Sequence, residues 1–165
     1  MGVSPEEFRK ALACFATGVT VITVARGADR VHGMTANAFC SVCLEPPLVL
    51  VCVDHESNTR PLLLSARRFG VNVLRDDQQD VARYFAEAEK SEEGATRLGI
   101  RYRFTERGTP LLEKALAQLD CALVATHEAG DHTLFIAEVE AVVAQPAAPL
   151  LFYGGRFRRL TVESS

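Results

Sequence analysis

Short apolar runs rich in β-branched residues recur along the chain between polar stretches, a pattern typical of a strand-rich protein. Val19 to Ala25 is β-branched, and residues 31–39 follow it across a polar turn at 26–30, so these segments predict an antiparallel hairpin. Leu48 to Val53 is continuously apolar, as expected of a strand buried on both faces. Residues 69–74 predict a further strand.

The last third of the chain carries the same pattern. Strands are predicted within 115–126, at 132–143 and 150–153, and in a short final segment at 156–160, with turns at 128–131 and 154–155. Pro46-Pro47 is predicted to break strand pairing, because proline lacks the N–H that a ladder needs. Strands dominate and the connections suit antiparallel pairing. The chain therefore predicts a mainly β (α+β) fold, a β-barrel with peripheral helices, in one domain spanning 1–165.

A first helix is predicted near the start of the chain. Ser4-Pro5-Glu6-Glu7 combines a capping box with proline at the first helical position. Apolar residues then recur at helical spacing up to a predicted end near Thr17-Gly18. We expect these residues to pack in the core: Phe8, Leu12 and Phe15.

Two further helices are predicted from capping signals. Ser57 or Asn58 can cap a helix over residues 59–67. Asp76-Asp77 is predicted to cap a helix over Gln78 to Ala88. One face of that helix carries Val81, Tyr84 and Phe85.

Composition narrows the class of protein. The 165 residues carry a formal net charge of −3, which argues against a basic nucleic-acid platform. No apolar run approaches the roughly 20 residues of a membrane span, and residues 1–10 lack the apolar core of a signal peptide. We therefore expect a cytoplasmic protein with no membrane or nucleic-acid partner. Residues 87–107 are highly charged and predict a solvated surface excursion with one short helix.

Five cysteines, an odd number lying mostly in apolar runs, predict reduced and buried thiols. Cys40-Ser41-Val42-Cys43 is a C-x-x-C motif, but no second pair supplies the four ligands of a structural zinc site. The motif also lies in a strand-like segment, not at a helix start, where a thiol pKa would be lowered. Small buried residues are the favoured interpretation, redox and metal roles are the alternatives, and no metal site is predicted.

Ser57 to Thr59 place hydroxyl and amide groups at a helix start, where backbone N–H groups and the helix dipole favour a phosphate. An ordinary N-cap is the commoner role of such residues. No G-x-G-x-x-G follows a strand, and neither a Walker A motif nor a G-x-S-x-G motif is present. A Rossmann site, a P-loop and a serine hydrolase site are therefore not supported.

The histidines show no metal-ligand spacing. His132 follows Gly130-Asp131 at the mouth of a strand, where an imidazole can stack on a ring or orient a substrate, although a plain surface role is commoner. His55 and His127 are expected in surface loops, and His32 is either exposed or site-lining.

A series of segments spread over nearly the whole chain carries a family resemblance. They are, in order, FRKALACFATGVTVIT, GMTANAFCSVCLEPPLVLVCVD, SNT, FGVNVL, DVARYFA, GTPLLEKALAQLDCALV, GDHTLFIAEV and PLLFYGGRFRRL. Together they resemble the flavin reductase family, small NAD(P)H:flavin oxidoreductases that serve two-component flavin monooxygenases. The resemblance implies an FMN-binding split β-barrel, antiparallel and Greek-key-like. Cysteines 40 and 43 depart from the family's usual Ser or Thr, and residues 90–107 match poorly.

The resemblance also implies a flavin site. Its residues would be Met34, Thr35, Asn37 and Ala38 along the flavin and its ribityl-phosphate tail, Ser41 and Val42 at the isoalloxazine, Val53 and Asp54 at the ring edge, Ser57, Asn58 and Thr59 at the phosphate, and Tyr84 and Phe85 closing the pocket. The nicotinamide site would consist of His132 with Phe152, Tyr153, Gly154 and Arg156.

The implied cofactors are FMN or FAD with NADH or NADPH, and hydride would pass from nicotinamide C4 to flavin N5. The protein's part would be positioning, so no single side chain is expected to be an obligate acid or base. The implied partners are a second copy of the chain in a homodimer and a separate monooxygenase that receives reduced flavin by diffusion. The alternative function is a flavin- or haem-binding split-barrel protein without reductase activity.

Overall fold

The computed structural model describes residues 2–28 and 30–161. The helices are α1 Pro5–Leu12, α2 Thr59–Ala66, α3 Gln79–Ala86 and α4 Glu92–Arg97. The strands are β1 Thr17–Gly18, β2 Thr20–Ala25, β3 Val31–Ala36, β4 Phe39–Leu44, β5 Pro47–Asp54, β6 Arg68–Val73, β7 Tyr102–Phe104, β8 Pro110–Leu112, β9 Ala117–Ala129, β10 His132–Ala144, β11 Leu150–Tyr153 and β12 Arg156–Arg159. The predicted turn at 26–30 includes Asp29, which lies outside the described residues, as do both ends of the predicted domain.

A seven-stranded antiparallel sheet in the order β3-β2-β6-β9-β10-β5-β4 forms the body of the molecule. Flat, its two edges would lie almost 30 Å apart at about 4.8 Å per strand. Only Asn37 and Ala38 separate the edge strands β3 and β4 in the chain, however, a reach of about 11 Å at most. The sheet therefore curves so that the end of β3 and the start of β4 lie close together without pairing, which confirms the predicted antiparallel split-barrel fold.

The inner face of this sheet is the main core. Side chains from five strands and α2 meet there without exposure, with Val51, Phe69 and Phe135 among the largest. A second buried cluster lies where α3, β8 and β11 pack beside β2, around Phe85 and Leu150. Helix α3 and the small sheet β1-β11-β12 are thereby attached to the barrel.

The predicted burial of the first helix is wrong. The apolar side chains of α1 and of the turn after it are exposed, 58% for Phe8, 53% for Leu12 and 73% for Phe15, and none of the helix is buried. The helix also ends at Leu12, and Thr17-Gly18 is a strand that pairs with β11. The capping box between Ser4 and Glu7 is present as predicted. Helical periodicity therefore identified an apolar face but not what covers it.

The proline pair does not break strand pairing, contrary to prediction. Strands β4 and β5 form a hairpin with Leu44 opposite Pro47, because the prolines fall at its turn, where little ladder hydrogen bonding is lost. β4 is an edge strand, so Cys40 and Cys43 are exposed, and the interpretation of the C-x-x-C as buried is wrong. Strand β5 buries only one face fully, since the residues that alternate with Val49, Val51 and Val53 are half-exposed.

Three smaller predictions also need correction. Residues 31–39 form two strands, because Asn37 and Ala38 turn the chain from one sheet edge to the other. Gln78, not Asp76-Asp77, occupies the N-cap of α3, and Asp77 instead pairs with Arg75 at 2.7 Å. His127 is exposed as expected but lies within β9, not in a loop. The other predicted strands and helices are confirmed to within a few residues.

Candidate functional site

The turn from β5 into α2 is built by its own polar residues. Asp54 accepts the N–H of Glu56 through Oδ1 at 2.7 Å and the N–H of Ser57 through its carbonyl at 3.0 Å. Ser57 Oγ in turn accepts the N–H of Thr59 at 3.2 Å, as an alternative cap to Asn58, whose side chain makes no capping bond. The turn is therefore fixed, and the exposed Asn58 amide, which makes no capping bond, can bind a ligand.

The start of α2 offers fewer backbone donors than the sequence suggests. The N–H of Arg60 is bonded to the Ser57 carbonyl at 3.1 Å, that of Thr59 is bonded to Ser57 Oγ, and Pro61 has none. An anion at this helix start would consequently depend on Asn58 and the Ser57 hydroxyl more than on a row of free N–H groups. This division could not be predicted from the capping pattern alone.

Strand β3 lies against this turn. Ser57 Oγ donates to Met34 Sδ at 3.4 Å, and His32 Nε2 lies 2.8 Å from Thr59 Oγ1. Burial lowers the pKa of His32 below its ordinary value, and the positive charges of Lys90 and Arg26 lower it further. The histidine is therefore neutral near pH 7, and the charges that act on it make this end of the turn attractive to an anion.

Helix α3 covers the other side of β3. Thr35 Oγ1 donates to the Ala82 carbonyl at 2.7 Å, and Gly33 gives room to Phe85, since a Cβ on Gly33 would lie 2.4 Å from Phe85 Cε1. Tyr84 packs edge-on to Phe85 at 5.0 Å and donates its hydroxyl to the Ser91 carbonyl. Burial raises the pKa of that phenol.

A cavity of about 400 Å³ opens beyond Tyr84, between α3 and α4. It is lined by Asp80, Arg83, Tyr84, Glu87, Ser91, Gly94, Arg97 and Leu98. Tyr84 is the only predicted site residue in its wall, so the cavity borders the predicted flavin site and does not contain it.

The β3–β4 connection and β4 supply the more open residues. Asn37 and Ala38 are exposed, and the Ala38 carbonyl accepts the N–H of Cys52 at 3.0 Å. Ser41 and Val42 are also exposed, and a register shift between Ser41 and Cys43 leaves Val42 without a strand partner. A bulge beside a site is a common way of directing a side chain and its backbone groups toward a ligand.

His132 stands directly opposite Asp54, because β10 pairs with β5 at that register. Its Nδ1 lies 2.7 Å from Asp131 Oδ1, and this hydrogen bond lowers the pKa of the Asp131 carboxyl. Val53, one residue before, is buried opposite Thr133. The turn predicted to hold the phosphate and the histidine predicted to contact the nicotinamide therefore both lie at the Asp54 end of β5.

Glu128 and Arg60 are residues of this region that the sequence did not single out. Glu128 binds Arg60 at 3.0 Å and His55 at 2.7 Å, and Arg60 Nε donates to Thr133 Oγ1 at 2.8 Å. The hydrogen bond from Arg60 is the main cause that lowers the pKa of Glu128. These contacts tie the β9–β10 turn to the start of α2, and no local sequence signal marks a pair 68 positions apart.

The remaining predicted residues lie on another part of the fold. Phe152 pairs with Thr17 and packs on Phe157 at 5.6 Å in the buried cluster that also contains Phe85. Tyr153, Gly154 and Arg156 are exposed at the β11–β12 turn, and the N–H of Gly154 donates to the Ala13 carbonyl. Within residues 2–28 and 30–161, no hydrogen bond joins this turn to His132. In a single chain, the residues predicted to form the nicotinamide site therefore lie in two separate places: His132 at the start of β10, and the others at β11 and its turn into β12.

In the part of the chain that the structure describes, no cluster of His, Cys, Asp and Glu could hold a metal ion. No helix in that part is long and apolar enough to cross a membrane.

Comparison with known proteins gives consistent matches over almost the full length. Residues 12–161 match the flavin reductase like domain. The chain is 45% identical over 161 residues to an NADH-dependent flavin reductase of Rhodococcus sp, covering 96% of this chain and 88% of that protein. It is 37% identical over 166 residues to the reductase subunit HsaB of a flavin-dependent monooxygenase of Mycobacterium tuberculosis, covering 99% and 86%. The solved NADH:FAD oxidoreductase SgcE6 of Streptomyces globisporus, in complex with NAD and FAD fragments, superposes with a TM-score of 0.87 at 38% identity, covering 100% of this chain and 99% of that one.

Proposed function

The chain belongs to the flavin reductase family, and on that premise we propose that it is an NADH-dependent flavin reductase that supplies reduced FMN or FAD to a monooxygenase. One observation carries the proposal. Asp54, at the end of β5, pairs with His132, at the start of β10. The turn that leads from Asp54 to Ser57 therefore begins beside the imidazole of His132. A phosphate-bearing ring system and a second planar group can then meet above this strand end.

The flavin would lie along β3 and the β3–β4 connection. Met34, Thr35, Asn37 and Ala38 would line it, with Ser41 and Val42 near the ring, Val53 and Asp54 at its edge, and Tyr84 and Phe85 closing one side. Ser57, Asn58 and Thr59 would form the phosphate end. The donor set fits such a group, since it combines the exposed Asn58 amide and the nearby charges of Lys90 and Arg26 with the Ser57 hydroxyl, which would exchange its bond to Met34 for a phosphate oxygen.

The nicotinamide would be met by His132, with Phe152, Tyr153, Gly154 and Arg156 shaping the site. When both cofactors are bound, they supply the chemistry, hydride leaving nicotinamide C4 for flavin N5. The residues of this chain bind and orient them, and His132, held by Asp131, sets the position of the ring that donates. No side chain is required to move a proton in that transfer.

We further propose that the chain acts as a homodimer. Large apolar side chains remain exposed on α1, on the turn after it and on β4, including Phe8, Phe15 and Leu44, which is 86% exposed. The half-exposed face of β5 adds to this surface. Apolar surface of this extent is characteristic of a face that a partner covers. A second copy could also bring its β11–β12 turn to the His132 of the first, which would complete the site.

A single-domain, cytoplasmic enzyme is part of the proposal. The five cysteines, Cys14, Cys40, Cys43, Cys52 and Cys121, are all free thiols, as a reducing compartment favours. Cell fractionation tests the location. Analytical ultracentrifugation tests the assembly, and a species of monomer mass at micromolar concentration would contradict the homodimer.

The decisive experiment is the oxidation of NADH by purified protein, followed by its absorbance, with and without added FMN or FAD. We expect either flavin to accelerate the oxidation of NADH strongly. The same measurement is made in parallel with NADPH. If neither flavin accelerates oxidation of either nucleotide, the reductase function is wrong, and a flavin- or haem-binding protein without this activity becomes the better description.

A further inference from the structure

The flavin side of the site contains one contact between two elements that lie far apart in the sequence. His32 on β3 and Thr59 at the start of α2 are 27 positions apart, and their Nε2 and Oγ1 atoms are 2.8 Å apart. Thr59 is only 1% exposed, and His32 is half-buried. A hydroxyl in such a place needs a partner, because an unpaired buried polar group costs free energy. His32 is that partner.

The direction of the Thr59 hydroxyl matters for the phosphate end. Ser57 is half-buried and Asn58 is exposed, so both present polar groups at the surface. Thr59 instead points its hydroxyl inward, toward the imidazole, and has almost no surface at which a phosphate oxygen could touch it. Its part in binding must then be indirect.

We propose that His32 is a positioning residue, which fixes the start of α2 against β3 through Thr59 and so places Ser57 and Asn58 to bind the flavin phosphate. The inference rests on the proposed function, since it takes the flavin phosphate as the ligand at this turn. It assigns the direct contacts to Ser57 and Asn58, and it makes Thr59 a link between two elements.

Two neighbouring contacts support this assignment. Ser57 Oγ reaches Met34 Sδ at 3.4 Å, so β3 and the start of α2 are joined a second time, two residues after His32 and two residues before Thr59. On its other side β3 is held by α3, through Thr35 and through the close fit of Phe85 over Gly33. Strand β3 is thus a fixed support, and the His32–Thr59 contact carries that fixed position to the phosphate turn.

The test compares FMN with riboflavin, which has the same ring system but no phosphate. Dissociation constants for both are measured by flavin fluorescence with wild type, His32→Ala, His32→Gln, Thr59→Val and the double variant His32→Ala/Thr59→Val, and thermal unfolding is recorded for each. We expect His32→Ala and Thr59→Val each to weaken FMN binding about three- to tenfold while riboflavin binding changes less than about twofold, the range of one hydrogen bond.

Two features separate positioning from a general structural effect. His32→Gln keeps a nitrogen that can reach Thr59, so it should restore most of the FMN affinity. The double variant should be no weaker than the worse single variant, because both changes remove the same contact. His127→Ala, on an exposed histidine of β9, is the matched control and should leave both affinities unchanged.

Other outcomes would overturn the inference. If Thr59→Val weakens FMN binding and His32→Ala does not, Thr59 binds the phosphate itself. If FMN and riboflavin weaken equally, His32 supports the fold and not the phosphate end. If wild type itself fails to prefer FMN over riboflavin, the proposed phosphate site is wrong, which is a different failure from that of His32.

Discussion

The two halves of the candidate site are built in contrasting ways. The flavin half, formed by β3, α3 and the start of α2, is held by buried or half-buried contacts, such as His32 with Thr59 and Phe85 over Gly33. The proposed nicotinamide half includes the strand ends beside the β9–β10 turn, where His132, Asp131 and Glu128 lie at or near the surface. The contacts of that turn are hydrogen bonds and ion pairs in solvent.

This difference indicates how each half should respond to change. A buried, packed site transmits a small change in volume to both stability and affinity, because interiors have few voids. Exposed ion pairs contribute little to stability, so changes there should alter the positioning of a ligand and leave the fold intact. In the proposed reductase, such an arrangement would orient the flavin against a packed surface and leave the nicotinamide to enter from the solvent side.

Gly33→Ala is the change that should have the largest effect. The new Cβ would lie 2.4 Å from Phe85 Cε1, so the buried phenyl ring or the strand must move. We expect unfolding free energy to fall by about 1–3 kcal/mol, the usual cost of overpacking, and FMN affinity to fall at least about tenfold. Chemical denaturation and flavin fluorescence measure the two quantities.

Gly18→Ala is the matched control, because a Cβ at Gly18 meets nothing within 4 Å. Flavin affinity and stability should stay near the wild-type values in that variant. A Gly33→Ala protein that binds FMN normally would contradict the view that the flavin half depends on close packing between β3 and α3.

His132→Ala should have the next largest effect and should act on the other half alone. Loss of the imidazole opposite Asp54 is expected to raise the KM for NADH about tenfold, the value of one good contact, while FMN affinity and unfolding free energy hardly change. Steady-state kinetics with varied NADH measures this effect, with His127→Ala as control. Wild-type KM and kcat in the variant would remove His132 from the site.

Glu128→Gln should be milder. The substitution keeps the size of the side chain but removes the charge that binds Arg60 and His55, so two contacts to the start of α2 weaken. The bonds from the His55 N–H to the Asp131 carbonyl and from Arg60 to Thr133 remain. We expect a rise of about two- to threefold in the KM for NADH, in keeping with exposed ion pairs, and normal stability. Glu113→Gln, an exposed carboxylate with no ion pair among the described residues, is the control. An unchanged KM would show that the turn keeps its position without Glu128.

The sequence predicted much of the flavin half and less of the nicotinamide half. Strand periodicity located β2, β5 and β6, and the capping residues located α2, because these signals are local. The contact between His32 and Thr59 is not local, and His32 was left either exposed or site-lining. Glu128 was placed only in a turn, since its partners Arg60 in α2 and His55 in the turn before α2 are distant in the sequence.

The failures have a common physical cause. Phe8, Leu12 and Phe15 were assigned to the core because apolar periodicity predicts a face to be covered, and among the described residues of a single chain nothing covers it. Cys40 and Cys43 were taken as buried because their segment is apolar, but β4 is an edge strand, and edge position depends on strand order, not on composition. Both errors fall on surfaces that a second copy of the chain would cover in the proposed homodimer.

The smallest expected effect is a dependence of stability on pH that comes from the flavin half. Burial, and then the charges of Lys90 and Arg26, lower the pKa of His32 below its ordinary 6.5. Between the two pKa values the unfolded chain binds more protons than the folded one, so stability rises with pH there. The stability that the neutral ring provides is complete above about pH 6.5 and declines as the pH falls below it.

Urea denaturation of the flavin-free protein at pH 7.5 and at 5.5 should show that decline, and His32→Gln, which cannot titrate, should show a smaller one. His127→Gln, on an exposed ring, should retain the wild-type difference. An equal decline in wild type and His32→Gln would mean that His32 accepts a proton as freely in the folded chain as in water, and the flavin half would then be as open as the turn that carries His132.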